Sequence, residues 1–298
     1  MNSPVNPFSG AAYDDAQDHD LIAKALAGDR QSLSDLVQRH QPYIYNVALK
    51  MLNHMADAED LTQEILVKLV TSLSQYNPAK GRFRTWLYRI TFNHFLNLKK
   101  QPYEQAVPSF EVFFEYIENT PDAALTPDEE QDLQLAIEES KVACMAGMLM
   151  CLEREQRLVY IVGEVFEIDH QLASEIFAVS PANFRQKLSR ARKDLYQWMH
   201  NRCGLVNQNN PCRCPKKTKG FIQNGWVNPV ELKWHSHYTH TTHELAQQNL
   251  EAVLLDVDDL YARLYQDHPF KLPQTSKDII EAIISNDNLR ESFKLTRE

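Results

Sequence analysis

The chain has 298 residues, enough for about two domains and a smaller third. It contains no run near ~18 uninterrupted apolar residues, which excludes a membrane-spanning helix, and its five cysteines are too few for a disulfide framework, so a reducing cytoplasm is expected. The net charge of -9 argues at first against nucleic-acid binding, but the charge is unevenly placed: residues 77–100 hold six bases and no acid, residues 101–140 eleven acids and no base.

Residues 1–18 read as a disordered lead-in without the basic start and apolar run of a signal peptide. With only eight glycines and long windows of helical spacing, the remainder is predicted to be all-α. Two short helices are expected at 20–27 and 30–40 around a Gly28-Asp29 break. A third starts near Pro42, where a first-turn proline costs no hydrogen bond. The fourth, Asp57 to Tyr76, is the clearest: Leu61, Ile65, Leu69 and Leu73 recur every four residues beside Leu66 and Val70, and Asp57, Glu59 and Asp60 suit the dipole of its first turn. A loop through Gly81 leads to a fifth helix, about 83–99. There Trp86, Leu87, Ile90 and His94 are expected to face a core. Arg84, Tyr88, Thr91 and Phe95 would lie opposite, with Arg89 at the flank. Cations interleaved with exposed rings suit melting DNA, because the charges hold phosphates while ring faces take unstacked bases. A solvated basic face is the plainer alternative.

Residues 101–128 are acidic and proline-interrupted, and read as a flexible linker with a short amphipathic piece at 110–117. A second helical block, 129–202, contains a helix-turn-helix. Its first helix is 169–177, its turn Ala178-Val179, and Ser180 caps a second helix with Pro181 at its first position. Phe184, Leu188, Ala191 and Leu195 form the buried stripe of that second helix, which leaves Arg185, Gln186 and Lys187 to reach groove edges.

Two motifs then appear in a known order. Asp57-Ala-Glu-Asp-Leu-Thr-Gln-Glu64 with Phe83-Arg-Thr-Trp-Leu-Tyr-Arg-Ile90 resembles the second region of extracytoplasmic-function sigma factors. Glu153-Arg-Glu-Gln-Arg157 through Arg190-Ala-Arg192 resembles their fourth region. The resemblance implies a polymerase-binding domain over 19–100, with Asp57, Asp60, Gln63 and Glu64 docking on polymerase. Lys80, Arg82, Arg84, Tyr88 and Arg89 would act on the minus-ten element. Ser180, Asn183, Arg185, Gln186, Lys187, Arg190 and Arg192 would act on the minus-thirty-five element. Core RNA polymerase and promoter DNA are the implied partners, an anti-sigma protein a further one, and no enzymatic activity is implied. Ala178 stands where the family often has Gly; a left-handed Ala there costs roughly 1 kcal/mol.

Residues 203–298 form an extension. Cys203, Cys212 and Cys214, with His200 nearby, fit a zinc set, a redox-sensitive thiol set or a loop of reduced, unligated cysteines. His235, His237, His240 and His243 read as polar surface. Amphipathic helices are expected over 250–264 and 279–284, and autoregulation by the extension is the preferred role. An operator-binding regulator that works without polymerase would explain only the helix-turn-helix. A metal or thiol sensor would explain only the tail.

Overall fold

The computed structural model describes residues 5–99, 104–105, 109–232, 262 and 265–266. The histidine cluster at 235–243 and most of the two expected C-terminal helices lie outside the described residues. Among the described residues the fold is helical without a strand; Cys203 and Cys212 make an isolated parallel backbone bridge. No helix there is long and apolar enough to cross a membrane. The chain divides into two compact units, one built from 1–99 with 161–186, the other from 100–160 with 187–269.

In the first unit, helix α1 (Asp15–Leu26) is capped by Asp14, which accepts from the Ala16 amide. The chain turns at Gly28, whose φ of 101° needs glycine. Asp29 then caps α2 by accepting from Gln31 N and Ser32 Oγ. Helix α2 (Arg30–Leu52) runs unbroken through Pro42, where two helices were expected. Its run from Tyr43 to Leu52 is buried throughout, and that burial outweighs the hydrogen bond proline cannot make. Helix α3 (Met55–Ser72) buries the expected stripe, including Leu61, Ile65, Leu66, Leu69 and Val70. Each fully buried side chain of this kind contributes about 1.5–3 kcal/mol. Short 3₁₀ turns at Leu73–Gln75 and Pro78–Lys80 lead into α4 (Phe83–Asn97).

Within the expected disordered lead-in, Pro7, Phe8 and Tyr13 are buried in this core. Phe8 is fully buried against the rings of Tyr88, Phe166, Tyr43 and Phe92, with centroids 4.7–6.2 Å away. Tyr13 gives its hydroxyl to buried Asp18 at 2.8 Å, and Arg39 donates to the same carboxylate at 2.9 Å.

In the second unit, the expected linker contributes helix α5 (Phe110–Asn119). Phe110 and Phe114 stack on Trp198, with centroids 5.6 and 5.7 Å away and ring planes within 12°. Helix α6 (Pro127–Asp132) starts with a Thr126–Glu129 capping box. Helices α7 (Gln134–Met150) and α8 (Arg154–Tyr160) follow. Buried Arg157 joins them by donating to the carbonyls of Leu149, Met150 and Leu152 and pairing with Glu104 at 2.9 Å. A π turn, Ile161–Val165, leads into the segment that belongs to the first unit.

Candidate nucleic-acid interface

Helix α3 separates packing from display by its period. Its apolar stripe is buried, while Asp60, Gln63 and Glu64 are exposed and Asp57 is half-buried at the first turn. His54 Nδ1 accepts from the Asp57 amide and lies 3.1 Å from its carboxylate. Glu64 pairs with His94 of α4, also at 3.1 Å. The four expected docking residues therefore share one polar edge.

The loop before α4 presents Lys80 and Arg82 to solvent. Between them Gly81 takes φ 151°, a conformation a side chain would strain. Tyr76 donates to the Gly81 carbonyl at 3.1 Å, and its ring lies 5.3–5.7 Å from Phe83 and Trp86.

On α4 Leu87 is buried as expected, but the rest of the two faces is the reverse of expectation. Arg84 is 1% exposed and Tyr88 0%. Thr91 and Phe95 are also buried, whereas Trp86, Ile90 and His94 are half-exposed. Arg84 folds inward because its charge is met there. Its Nε and Nη2 grip both oxygens of Asp15 at 2.7 and 2.9 Å, and Nη1 donates to the carbonyls of Pro7 and Ser9. Tyr88 packs on Phe8 and His40, and burial pushes its phenol well above the ordinary range. The exposed or half-exposed side of α4 and its approach thus carries Lys80, Arg82, Trp86 and Arg89. Trp86 is the aromatic that sequence periodicity assigned to the core.

The helix-turn-helix stands where it was expected. Helix α9 (His170–Phe177) is capped by Asp169, which accepts from Gln171 N and Leu172 N. Ala178 makes the turn in the left-handed region, φ 53° and ψ 42°. Ser180 Oγ accepts from Asn183 N at 3.1 Å at the start of α10 (Pro181–Arg202). Phe184 is buried against Phe177 and His170. Ser180, Asn183, Arg185, Gln186 and Arg190 are exposed, and Arg192 is half-buried. Lys187 pairs with Glu155 at 2.8 Å.

Within the first unit α9 also lies on α4. Thr85 Oγ1 donates to Glu175 Oε2 at 3.0 Å, Arg89 donates to the Glu175 carbonyl, and Phe177 packs on Phe92 with centroids 5.3 Å apart. The first helix of the helix-turn-helix therefore covers part of the face that holds Arg89.

The structure brings Cys203, Cys212 and Cys214 to one small cavity and adds Cys144 of α7. The His200 side chain is not among that cavity's lining residues. No three His, Cys, Asp or Glu side chains among the described residues stand at metal-holding geometry.

A family model for Sigma-70 region 2 matches residues 36–101, from within α2 to just beyond α4. The chain is 25% identical over 172 residues to the ECF RNA polymerase sigma factor SigE of Mycolicibacterium smegmatis, covering 56% of this chain and 62% of that protein. It is 24% identical over 179 residues to the ECF RNA polymerase sigma factor SigW of Bacillus subtilis, covering 58% of this chain and 92% of that one. To the RNA polymerase sigma factor NccH of Alcaligenes xylosoxydans xylosoxydans it is 25% identical over 182 residues, covering 61% and 94%. A solved structure titled "Structure of CnrH in complex with the cytosolic domain of CnrY" aligns with 61% of this chain and 97% of its own, at 20% identity and a TM-score of 0.44.

Proposed function

We propose that the chain, which matches Sigma-70 region 2 over residues 36–101 and is similar to extracytoplasmic-function sigma factors, binds core RNA polymerase and directs promoter recognition, DNA melting and transcription initiation. It acts in the cytoplasm as a non-enzymatic factor, with core polymerase, promoter DNA and an anti-sigma protein as partners. The observation that carries this reading is how the matched segment folds. Its α3 displays an acid and amide edge of Asp60, Gln63 and Glu64, while the approach to α4 displays Lys80, Arg82 and a half-exposed Trp86. The first set suits a protein surface. The second suits phosphates and an unstacking base.

The helix-turn-helix supplies a second DNA element, with Arg185, Gln186 and Arg190 as the exposed groups of its recognition helix. The negative overall charge fits a factor that relies on polymerase for most of its hold on DNA. Arg84 and Tyr88 take a different role from the one first expected: they build the platform that carries Arg82 and Trp86. Full use of Arg89 requires α9 to leave α4, so promoter binding and release of α9 are one event in this proposal.

The test is recovery of core polymerase by the full chain, beside an Asp60→Ala, Gln63→Ala variant. Recovery by the wild type and a drop of at least about tenfold in the variant, or roughly 1.4 kcal/mol, is expected. Specific operator binding by the free chain with no polymerase recovered would overturn the proposal in favour of an ordinary helix-turn-helix regulator.

A further inference from the structure

Four of the five cysteines, drawn from three separate stretches of the second unit, meet at one cavity. Cys144 comes from the middle of α7. Cys203 follows the end of α10, where its amide still donates to the Met199 carbonyl at 2.8 Å. Cys212 lies just before α11 (Cys214–Gln223), and Cys214 opens that helix, followed by Pro215. The cavity measures about 20 Å³. That is room for one atom-sized occupant, too little for an organic ligand or an iron–sulfur cluster. Besides the thiols, its lining is Lys141, Lys217 and apolar side chains such as Met145, Met148 and Phe221, with no carboxylate among them.

The loop between the cysteines is built to hold this arrangement. Cys203 and Cys212 are bridged backbone to backbone. At Gly204 a Cβ would lie 2.1 Å from the Cys212 carbonyl oxygen, so the close approach requires glycine. Asn210 Nδ2 donates to the carbonyls of His200 and Cys203 at 2.8 and 3.0 Å, and Arg213 donates to those of Gln208, Asn210 and Cys212.

We propose that Cys144, Cys203, Cys212 and Cys214 are the four ligands of one zinc-class divalent ion, which ties the end of α10 and the start of α11 to α7. Four soft ligands and no open position describe a closed, structural site. Binding exchanges four S–H protons for four metal–sulfur bonds, the protons passing to buffer. The resulting complex carries a charge of two minus, beside the ion pairs that Lys141 makes with Glu138 and Lys217 with Asp122. The sulfurs surround the cavity without standing at ligand distance from one point, so the ion has to draw them inward. The proposal is independent of the sigma-factor assignment and would stand if polymerase binding failed.

The test uses the full, reduced chain. Elemental analysis should find one zinc per chain, and cobalt(II) titrated into chelator-stripped protein should give the spectrum of a tetrahedral, all-sulfur site at one equivalent. Cys144→Ser should weaken cobalt binding at least about tenfold, as should Cys203→Ser, Cys212→Ser or Cys214→Ser. Cys151→Ser should bind as the wild type does, because that thiol lies outside the cavity lining and bonds to the Gly147 carbonyl. The wild-type spectrum needs no variant, so a variant that fails to fold does not shelter the idea. No cobalt uptake by the reduced wild type, uptake undiminished in Cys144→Ser, or fewer than five free thiols in protein denatured without reductant would each overturn it. The last result would identify a disulfide pair instead.

Discussion

At the scale of single residues, charge and burial decide which side chains build and which bind. Arg84 is a buried cation with every described contact inside the first unit, whereas Arg82, two positions earlier, is exposed. Arg84→Ala strands Asp15 and two carbonyls, and should cost about 3–5 kcal/mol in urea unfolding. Arg84→Lys should recover little, since an ammonium cannot grip both carboxylate oxygens as a guanidinium does. Arg82→Ala should leave the unfolding midpoint unchanged and weaken promoter binding by the polymerase complex. The reverse outcome would return Arg84 to the DNA-binding set. Lys50 gives a pH test in the same unit. It is buried 5.8 Å from the Phe166 ring centroid, and burial pushes its ammonium down to about 7. The unfolded chain restores an ordinary value of about 10.4. Between these two values the unfolded state binds more protons, so the Lys50 contribution to stability rises with pH from about 7 to about 10. Lys50→Met should remove that slope from the stability–pH curve; parallel curves for the two proteins would refute the burial effect.

At the scale of elements, the helix-turn-helix was legible because every signal in it is local. Asp169, Ser180 and Pro181 mark the helix starts, and the stripe from Phe184 to Leu195 marks the buried side. Its one local conflict is Ala178 at φ 53°. Ala178→Gly should raise stability by up to about 1 kcal/mol. Ser180→Ala, which removes the acceptor for the Asn183 amide, should lower it by about 1 kcal/mol. Thermal unfolding of the two single variants reads both signs. What the motif could not announce is where α9 rests. Its contact with α4 depends on Glu175 and Phe177 meeting Thr85, Arg89 and Phe92, residues roughly eighty to ninety positions earlier in the sequence. Phe177→Ala loosens that contact and also costs packing against Phe184. Transcription per molecule of folded protein is therefore the useful readout, and an increase is expected if α9 screens Arg89.

At the scale of the whole molecule, each unit is assembled from pieces distant in sequence. Phe8 closes the aromatic cluster of the first unit, and Phe8→Ala should cost about 3–5 kcal/mol, measurable by denaturant titration. In the second unit α11 is held by Lys217, which donates to the Thr120 carbonyl, by the Ala123 amide bonded to the Lys216 carbonyl, and by Gly220, where a Cβ would meet Thr120 Cγ2 at 2.4 Å. If an ion at the four cysteines completes this assembly, chelation should speed amide exchange in α11 and in α7 near Cys144. Helices α2 and α3, in the other unit, should keep their protection. Exchange rising equally in both units would show that the cysteine site is not a local tie.

The sequence by itself determined the all-helical class, the stripe of α3, the caps and turn of the helix-turn-helix, and the order of motifs that resembles extracytoplasmic-function sigma factors. Those features depend on residues a few positions apart, where helical period and capping chemistry act directly. Only the tertiary structure decided which face of α4 is outside, because Arg84 finds its counter-charge 69 positions away at Asp15. It likewise decided that Phe8 and Tyr13 belong to a core, since two rings in a polar, proline-bearing stretch carry no period. The acidic stretch 101–128 read as a flexible linker with a short amphipathic piece at 110–117; the piece is α5, and only the fold shows that Trp198 covers its rings. Cys144 joined the other three cysteines for the same reason: a thiol in an apolar helix looks like filler until the fold shows what stands opposite it.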